Sequence, residues 1–356
     1  MALQTVSRWT TALVGGLALA LSLAGCGGGG GSGDQLSGSV RIDGSSTVFP
    51  LTEAVAEEFM REHPGVQVTV SESGTGGGFS KFLRGETDIN DASRPITPAE
   101  RQKAEAAGVG FIEVPVGYDG IAVVAHPEVD WVECLTVAEL RRIWSPDDPL
   151  QSWSQVRDGF PDEPIDLYGP GTASGTYDYF TEAVVGEAGA SRSDFTASED
   201  DNVLVRGVRG TPGALGYFGF AYYENNADDL RLIGIDPDER RSGQACIVPS
   251  DSTIQSGVYT PLARPLFTYI RADAAERPAV QEFVTFYLNN AGSLAPAVGY
   301  VGLSPTAYEL ALQRFRTRRT GTLFGTDRVK SGADVEAVLE RALPDTTAAA
   351  PSPSSE

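Results

Sequence analysis

Residues 40–70, VRIDGSSTVFPLTEAVAEEFMREHPGVQVTV, contain the pattern that decides the fold class. Apolar and polar residues alternate over 40–42, which predicts a β-strand. Apolar residues then recur every four positions over 51–59, which predicts a helix with one buried face, and Pro64 ends it. Alternation returns over 66–70 and predicts a second strand. The stretch is therefore typical of a strand–helix–strand unit.

The same order of elements continues towards the C-terminus. A glycine-rich loop at 73–78 leads into a short helix, and a strand is predicted at 87–92. A second glycine-rich loop at 169–176 lies between a predicted strand around Leu167 and a predicted helix at 177–184. Strands that alternate with helices favour α/β lobes built on mainly parallel sheets. The globular part, roughly 305 residues, is longer than one typical core, so two lobes are expected.

The first residues have the pattern of an export signal. Arg8 precedes an apolar run over 12–24, which is shorter than the roughly 20 residues that span a bilayer. The run ends in LAGC, a match to the bacterial lipobox, which predicts cleavage before Cys26 and a lipid on its thiol. An ordinary signal peptide with a chance cysteine is the alternative. We expect residues 1–25 to be a lipoprotein signal peptide and residues 26–37 a flexible glycine-rich tether.

Charge and cysteine content limit the possible functions. The formal net charge of −21 argues against nucleic-acid binding and against a polybasic membrane contact. Two histidines and three cysteines argue against a His/Cys zinc site. With Cys26 assigned to the lipid, Cys134 and Cys246 are expected to form a disulfide in an oxidising compartment, with two free thiols as the alternative.

A helical segment is expected at 326–343 and a disordered tail at 344–356.

Three loops have the features of an oxyanion site. Residues 45–47, 75–78 and 174–176 each follow a predicted strand, open a predicted helix and are rich in Ser, Thr and Gly. The first turn of a helix has N–H groups without internal partners and carries partial positive charge, and hydroxyls add further donors. Together these features predict a compact oxyanion bound without a lysine. Taken singly, each loop is better explained as an ordinary helix N-cap, and only the three together favour an oxyanion site.

Arg94 is the candidate cation of this site. It follows a predicted strand, and its planar guanidinium can bind two oxyanion oxygens at once, although a surface ion pair is the alternative.

Enzymatic sites are poorly supported. The chain contains no Gly-Lys pair and so no P-loop, and neither His63 nor His126 has an evident aspartate partner for a catalytic triad. Ser174 does not lie in a Gly-x-Ser-x-Gly elbow.

Six separated motifs resemble the phosphate ABC transporter substrate-binding proteins, in their bacterial lipoprotein form. They are GSSTVFP (44–50), SGTGGGF (73–79), ASRPI (92–96), YGPGTASGT (168–176), SEDDN (198–202) and GALGYF (213–218). The resemblance implies an α/β type II periplasmic-binding-protein fold, in which two lobes are joined by a two-strand hinge and the ligand lies in the cleft. The implied bounds are 38–123 and 268–325 for lobe one, 124–267 for lobe two, and hinge crossings near 120–125 and 266–270.

Carried over position by position, the resemblance implies a set of phosphate ligands. These are Ser46, Thr47, Val48, Thr75, Gly76, Arg94, Ser174, Gly175, Thr176, Asp200 and Asn202. Well-known members have an aspartate at the position of Arg94 and an arginine at that of Pro170, so the charge has moved between the lobes. The family's aspartate accepts a proton from phosphate and thereby discriminates against sulfate. Here Asp91, Glu199 and Asp200 are the candidate acceptors, with Asp200 as our choice.

The resemblance implies a non-enzymatic receptor that binds inorganic phosphate outside the cytoplasm and delivers it to a membrane ABC permease complex for phosphate uptake. We expect it to be a monomer anchored through Cys26, with no cofactor and no nucleic-acid partner. Three alternatives stay open. The ligand could be another oxyanion such as sulfate or arsenate, the protein could be a phosphatase or hydrolase using Ser174, or it could be an interaction protein that has kept the fold without the site.

Overall fold

A computed structural model describes residues 36–147, 149–172, 174–198, 200–237, 246–324 and 334–342. The predicted signal peptide, Cys26, most of the predicted tether, Glu199 and the predicted C-terminal tail lie outside these ranges. None of the helices in the described ranges combines the length and the apolar character that a membrane crossing needs.

Strands and helices alternate along most of the described chain. The strands are β1 (Gly38–Gly44), β2 (Val66–Glu72), β3 (Ile89–Ala92), β4 (Phe111–Ala125), β5 (Cys134–Thr136), β6 (Leu167–Pro170), β7 (Thr196–Ser198), β8 (Leu215–Gly219), β9 (Arg231–Asp236) and β10 (Ala263–Arg271). The α-helices are α1 (Phe49–Glu62), α2 (Gly74–Leu83), α3 (Pro98–Ala106), α4 (Val137–Trp144), α5 (Gly175–Val184), α6 (Asp201–Gly210), α7 (Phe220–Glu224), α8 (Asp251–Gln255), α9 (Pro278–Leu294), α10 (Pro305–Arg316) and α11 (Val335–Ala342).

The first strand–helix–strand unit is confirmed as β1, α1 and β2. In α1 the apolar residues at four-residue spacing, Leu51, Val55 and Phe59, are buried, because this face packs on the core. The predicted loop at 73–78 is wrong in one respect, since α2 already begins at Gly74. Close packing explains the early start, because a Cβ on Gly78 would lie 2.6 Å from the Cα of Gly44, and only glycine allows that approach.

The strands form two parallel groups with antiparallel strands between them. Within the described ranges the order is β2-β1-β3-β10-β4-β8-β6-β7, with β9 pairing to β4 and β5 pairing to β9. The strand β1 is parallel to β2 and β3, and β6 is parallel to β7 and β8. The carboxyl ends of parallel strands meet at one edge, so the loops that follow β1, β2 and β3 are neighbours, as are those that follow β6 and β7.

The antiparallel strands β4 and β10 join the two groups. The strand β4 pairs with β10 over residues 111–120 and then with β8 over residues 121–125, and its whole length is buried. Arg264 of β10 lies directly opposite Asp119 of β4 in this pairing. The crossing strands were expected near 120–125 and 266–270, and the lobe bounds given above stay a prediction.

The face of β4 opposite to Asp119 carries the C-terminal helix α11. The Tyr118 hydroxyl donates to the Gln255 carbonyl at 2.9 Å and accepts from the Val335 amide at 3.2 Å. Val335 and Leu339 are fully buried. A cavity of about 490 Å³ lies beside Tyr118 and is lined by residues of α8, α10 and α11.

The predicted disulfide between Cys134 and Cys246 is present, with the two Cα atoms 5.8 Å apart. That separation lies within the usual range for a disulfide. Because 112 positions separate the two cysteines, the bond closes a long loop that contains β6, β7 and β8, the strands of the second parallel group.

Candidate functional site

The loop after β1 forms the first wall of the site. Thr47 is buried, and its amide donates to the Ser45 hydroxyl at 3.2 Å. The Val48 amide donates to the Ser45 carbonyl at 3.2 Å and the Val48 side chain is buried, so this residue shapes the turn before α1. Ser46 is half-buried between them.

The loop after β6 meets this first wall directly. Ser174 is the N-cap of α5, and its hydroxyl accepts from the Thr176 amide at 3.2 Å. Gly175 is buried, and a Cβ there would lie 2.8 Å from the Cα of Thr47. Two of the three predicted loops therefore touch, although they belong to different parallel groups.

Sequence reasoning missed the arginine at this meeting point. Nη2 of Arg264 donates to the Thr47 hydroxyl at 3.1 Å, and Cζ of Arg264 lies 3.8 Å from the centroid of the Tyr179 ring. Tyr179 belongs to α5, so the guanidinium contacts both walls of the site. A cation over an aromatic face is stabilised by the negative potential of the ring.

Asp119 is the ion-pair partner of Arg264. Its Oδ2 lies 3.4 Å from Nε and 3.3 Å from Nη2, and the carboxylate is fully buried. Burial raises the pKa of the Asp119 carboxyl, although the Arg264 guanidinium opposes this. Its Oδ1 has no hydrogen-bond partner in the part of the chain that the structure describes. Each of the two strands carries two charged residues, Glu113 and Asp119 in β4 and Arg264 and Arg271 in β10, so the sequence alone did not single out this pair.

The loop after β2 builds a second cluster. The Ser93 amide donates to the Thr75 hydroxyl at 3.2 Å, which ties the start of α2 to the turn after β3. The Ser73 amide donates to the Gly44 carbonyl at 3.0 Å, so this cluster adjoins the loop after β1. Gly76 is exposed on the first turn of α2.

Arg94 belongs to this second cluster, and its guanidinium is paired. Nη1 and Nη2 each donate to one oxygen of Glu100 at 2.9 Å, and Nη1 also donates to the Pro95 carbonyl at 3.2 Å. This fork keeps the pKa of the Glu100 carboxyl below its usual value, although burial opposes the shift. The side chain of Arg94 is 39% exposed. The predicted role of Arg94 as an anion ligand stays a prediction.

Asp200 and Asn202 lie at the start of α6. The Asp200 carboxylate accepts from the Asn202 amide at 2.9 Å and from its side-chain amide at 3.1 Å. Both residues are exposed. In the described ranges, the side-chain hydrogen bonds of these two residues stay within this helix start. The structure therefore gives Asp200 a capping role, and its predicted role as proton acceptor stays a prediction.

The Asp91 carboxylate faces Thr52 of α1 and does not lie between the loops. It is fully buried and accepts from the Thr52 hydroxyl at 2.7 Å, while Thr52 also lies 3.0 Å from the Tyr287 hydroxyl. Burial raises the pKa of the Asp91 carboxyl to about 7.

In the part of the chain that the structure describes, these loops lie beside neither a metal-binding cluster nor a histidine placed for catalysis. No group of three or more His, Cys, Asp or Glu side chains in the described ranges is arranged to hold a metal ion. The His63 ring contacts the Phe59 ring in a tilted arrangement, with centroids 4.6 Å apart, and Nδ1 of His126 accepts from the Glu128 amide at 3.2 Å. These are the two histidines of the chain, so both have local contacts away from Ser174.

Comparison with known sequences identifies the family. A PBP superfamily domain matches residues 30–291. The chain is 49% identical over 298 residues to Protein SphX of Synechocystis sp., covering 83% of this chain and 87% of that protein. It is 34% identical over 305 residues to the phosphate-binding protein PstS of Staphylococcus epidermidis, covering 85% of this chain and 90% of PstS.

Solved structures agree with this comparison. A possible phosphate binding protein from Planctomyces limnophilus DSM 3776 matches with a TM-score of 0.74 at 46% identity, over 80% of this chain and 99% of that chain. A putative phosphate ABC transporter substrate-binding protein with bound phosphate, from Clostridium perfringens, matches with a TM-score of 0.53 at 25% identity, over 75% of this chain and all 100% of that chain. The expected type II periplasmic-binding-protein fold is confirmed, and the chain belongs to the PBP superfamily, in the family that contains SphX and the phosphate-binding protein PstS.

Proposed function

We propose that this chain is an extracytoplasmic receptor that binds inorganic phosphate and delivers it to a membrane ABC importer. The observation that carries the proposal is the direct approach of Gly175 to Thr47, which brings helix starts from two parallel groups to one point. The ligand class is supported by the name of the relative PstS and by the phosphate bound to the Clostridium perfringens relative.

The site binds an oxyanion mainly through neutral donors. The ligand set expected from the sequence is our proposal for the contacts, with the hydroxyls of Thr47, Thr75 and Ser174 beside the first amides of α2 and α5. Helix starts supply N–H groups and partial positive charge, which stabilise a compact anion without a large positive patch. Because contacts in a closed cleft are weakly screened by salt, the net charge of −21 is compatible with such binding.

We propose that the protein has no hydrolytic activity. The Ser174 hydroxyl accepts from the Thr176 amide and caps α5, and both histidines of the chain have partners elsewhere. A serine nucleophile needs an adjacent base to remove its proton. Ser174 therefore supports ligand binding better than catalysis.

The finer features of localisation and assembly are also proposals. We propose that the mature protein is a monomer anchored through a lipid on Cys26, with residues 26–37 as the tether. We further propose that the two lobes have the bounds given above and that closing around phosphate presents a surface to the permease. A ligand that contacts both lobes only in the closed form shifts the population towards that form.

The test is calorimetric titration of the purified mature chain with phosphate and with sulfate at pH 6 and pH 8. Saturable phosphate binding with little response to sulfate is the expected result. Equal binding of both ions would leave an oxyanion receptor without phosphate selectivity. Binding of neither ion would contradict the proposal and would favour an interaction protein that has kept only the fold.

A further inference from the structure

We propose that Arg264, on the hinge strand β10, is the principal cation that binds the anion and that it couples ligand binding to closure of the cleft. Asp119, on the facing strand β4, is its counter-ion while the cleft is empty. This inference rests on the proposed function and assigns roles to two residues outside the Ser/Thr loops.

The position of Arg264 suits a coupling role. The strands β4 and β10 lie between the two parallel groups, so a side chain from this pair can reach the loops of both. The guanidinium donates to Thr47 on one wall and lies over the ring of Tyr179 on the other. Both contacts can exist together only when the walls are close, as they are where Gly175 meets Thr47.

Arg264 still has donors for a ligand. In the described part of the chain, its hydrogen-bond partners contact Nε and Nη2, which leaves the two N–H groups of Nη1 for an anion. The side chain is only 13% exposed. A guanidinium that is largely withdrawn from water binds an oxyanion more strongly than an exposed one, because water screens the interaction less.

Asp119 pairs with Arg264 only loosely. The distances of 3.3 and 3.4 Å exceed the roughly 2.7–2.9 Å that is typical of charge-assisted hydrogen bonds. One buried carboxylate compensates the buried guanidinium when no anion is present, which avoids an unpaired charge. The same carboxylate repels a bound anion, so it limits affinity and favours release when the cleft opens.

The two residues are predicted to change phosphate affinity in opposite directions. In the mature full-length chain, Arg264→Gln should weaken phosphate binding about 100-fold or more, and phosphate should no longer reduce the radius of gyration in small-angle X-ray scattering. Arg264→Lys keeps the charge without the planar fork and should give an intermediate affinity. Asp119→Asn removes a repelling charge and should tighten binding about tenfold at low salt.

The matched control is Arg209→Gln. Arg209 is also an ion-paired arginine, bonded to Asp229 at 2.7 Å, but it lies on the exposed surface of α6. Its loss should leave phosphate affinity unchanged. If Arg264→Gln does not fold because Asp119 is left unpaired, the double variant Arg264→Gln/Asp119→Asn removes both charges and should bind phosphate as weakly as predicted for the single change.

Each outcome separates this inference from the proposed function. Normal phosphate affinity in Arg264→Gln or in the double variant would overturn the assignment of Arg264 and leave the receptor function intact. Weaker phosphate binding by Asp119→Asn would overturn the counter-ion role. If the ion pair were merely structural, removing either of its two residues would weaken phosphate binding. If the unmodified chain binds no phosphate, the proposed function fails, and this inference fails with it.

Discussion

Two arginines beside the Ser/Thr loops, Arg94 and Arg264, show how differently one kind of side chain can be used. Arg94 is 39% exposed and holds both oxygens of Glu100, which is six positions away in the chain, at 2.9 Å. Arg264 is 13% exposed and makes longer bonds to the buried Asp119, 145 positions away. The first region is a self-contained local unit, and the second is assembled by the fold.

The difference in exposure matters because the surroundings of a charged side chain decide how much free energy it contributes. An exposed ion pair contributes about 0–1 kcal/mol, since water solvates both partners almost as well as they solvate each other. A buried charge depends on each neighbour, because removing one partner costs about 3–5 kcal/mol. An anion therefore gains more binding free energy from the buried, loosely paired guanidinium of Arg264 than from that of Arg94, which is already bonded to both oxygens of Glu100.

The largest expected effect tests this contrast directly. Arg264→Gln should cost about 3 kcal/mol or more of phosphate binding, while Arg94→Gln should cost only about 1 kcal/mol because Glu100 already holds both of its terminal nitrogens. Calorimetric titration of the two variants side by side measures the difference. The reverse order would place the principal cation in the first region.

The next expected effect concerns the buried carboxylates of the two regions and the way the free energy of unfolding depends on pH. Asp119 has a cation beside it, whereas Asp91 has the Thr52 hydroxyl, and burial raises the pKa of Asp91 from its ordinary 3.8 to about 7. Between pH 3.8 and about pH 7, the Asp91 carboxyl is protonated in the folded protein and ionised in the unfolded chain. The free energy of unfolding therefore falls as the pH rises through this range. From pH 5 to pH 8 the loss due to Asp91 should be roughly 3 kcal/mol.

Urea unfolding at pH 5 and pH 8 measures this dependence. Asp91→Asn should remove most of the loss and be more stable than the unmodified chain at pH 8, because the amide stays neutral and can still accept from Thr52. The difference between variant and parent cancels all other titrating groups. An unchanged pH dependence would mean that Asp91 is ionised in the folded protein at pH 5.

The glycines of the two loops give the smallest contrast. A Cβ on Gly175 would lie 2.8 Å from the Cα of Thr47, a backbone atom that cannot rotate away, so Gly175→Ala should weaken phosphate binding by about 1–3 kcal/mol. A Cβ on Gly76 would lie 3.9 Å from Nη2 of Arg94, an ordinary contact, so Gly76→Ala should cost at most about 0.5 kcal/mol.

Gly210→Ala is the control for these changes, since a Cβ at this helical position meets no atom within 4 Å. Titration of all three variants with phosphate gives the comparison. Equal losses for Gly175→Ala and Gly76→Ala would contradict the idea that the cleft closes by contact between Gly175 and Thr47.

Local patterns were sufficient to predict much of the fold and part of the site. The period of two over 66–70 and the four-residue spacing over 51–59 predict β2 and α1, because each side chain must face the core. The Ser/Thr-rich loops were located because helix starts have a local signature. The first turns of α2 escaped prediction, since five residues containing four glycines favour a loop by propensity, and tertiary packing reverses that preference.

The pair of Arg264 and Asp119 could not be predicted in this way. Their contact depends on the antiparallel register of β10 against β4, which is set by pairing between distant parts of the chain. The same holds for Gly175 and Thr47, whose contact needs both parallel groups in place. The resemblance to a family located loops, but it could not reveal a charge in a strand outside its motifs.

The strand β4 offers a route to a phosphate biosensor. Tyr118 and Asp119 are neighbours on this strand and point to opposite faces, so one peptide unit separates the cleft from the cavity beside α11. A fluorescent dye attached at Ala337, which lines that cavity, would report a shift of β4 without touching the ligand. Such a reporter leaves every donor of the site free, which a label inside the cleft cannot do.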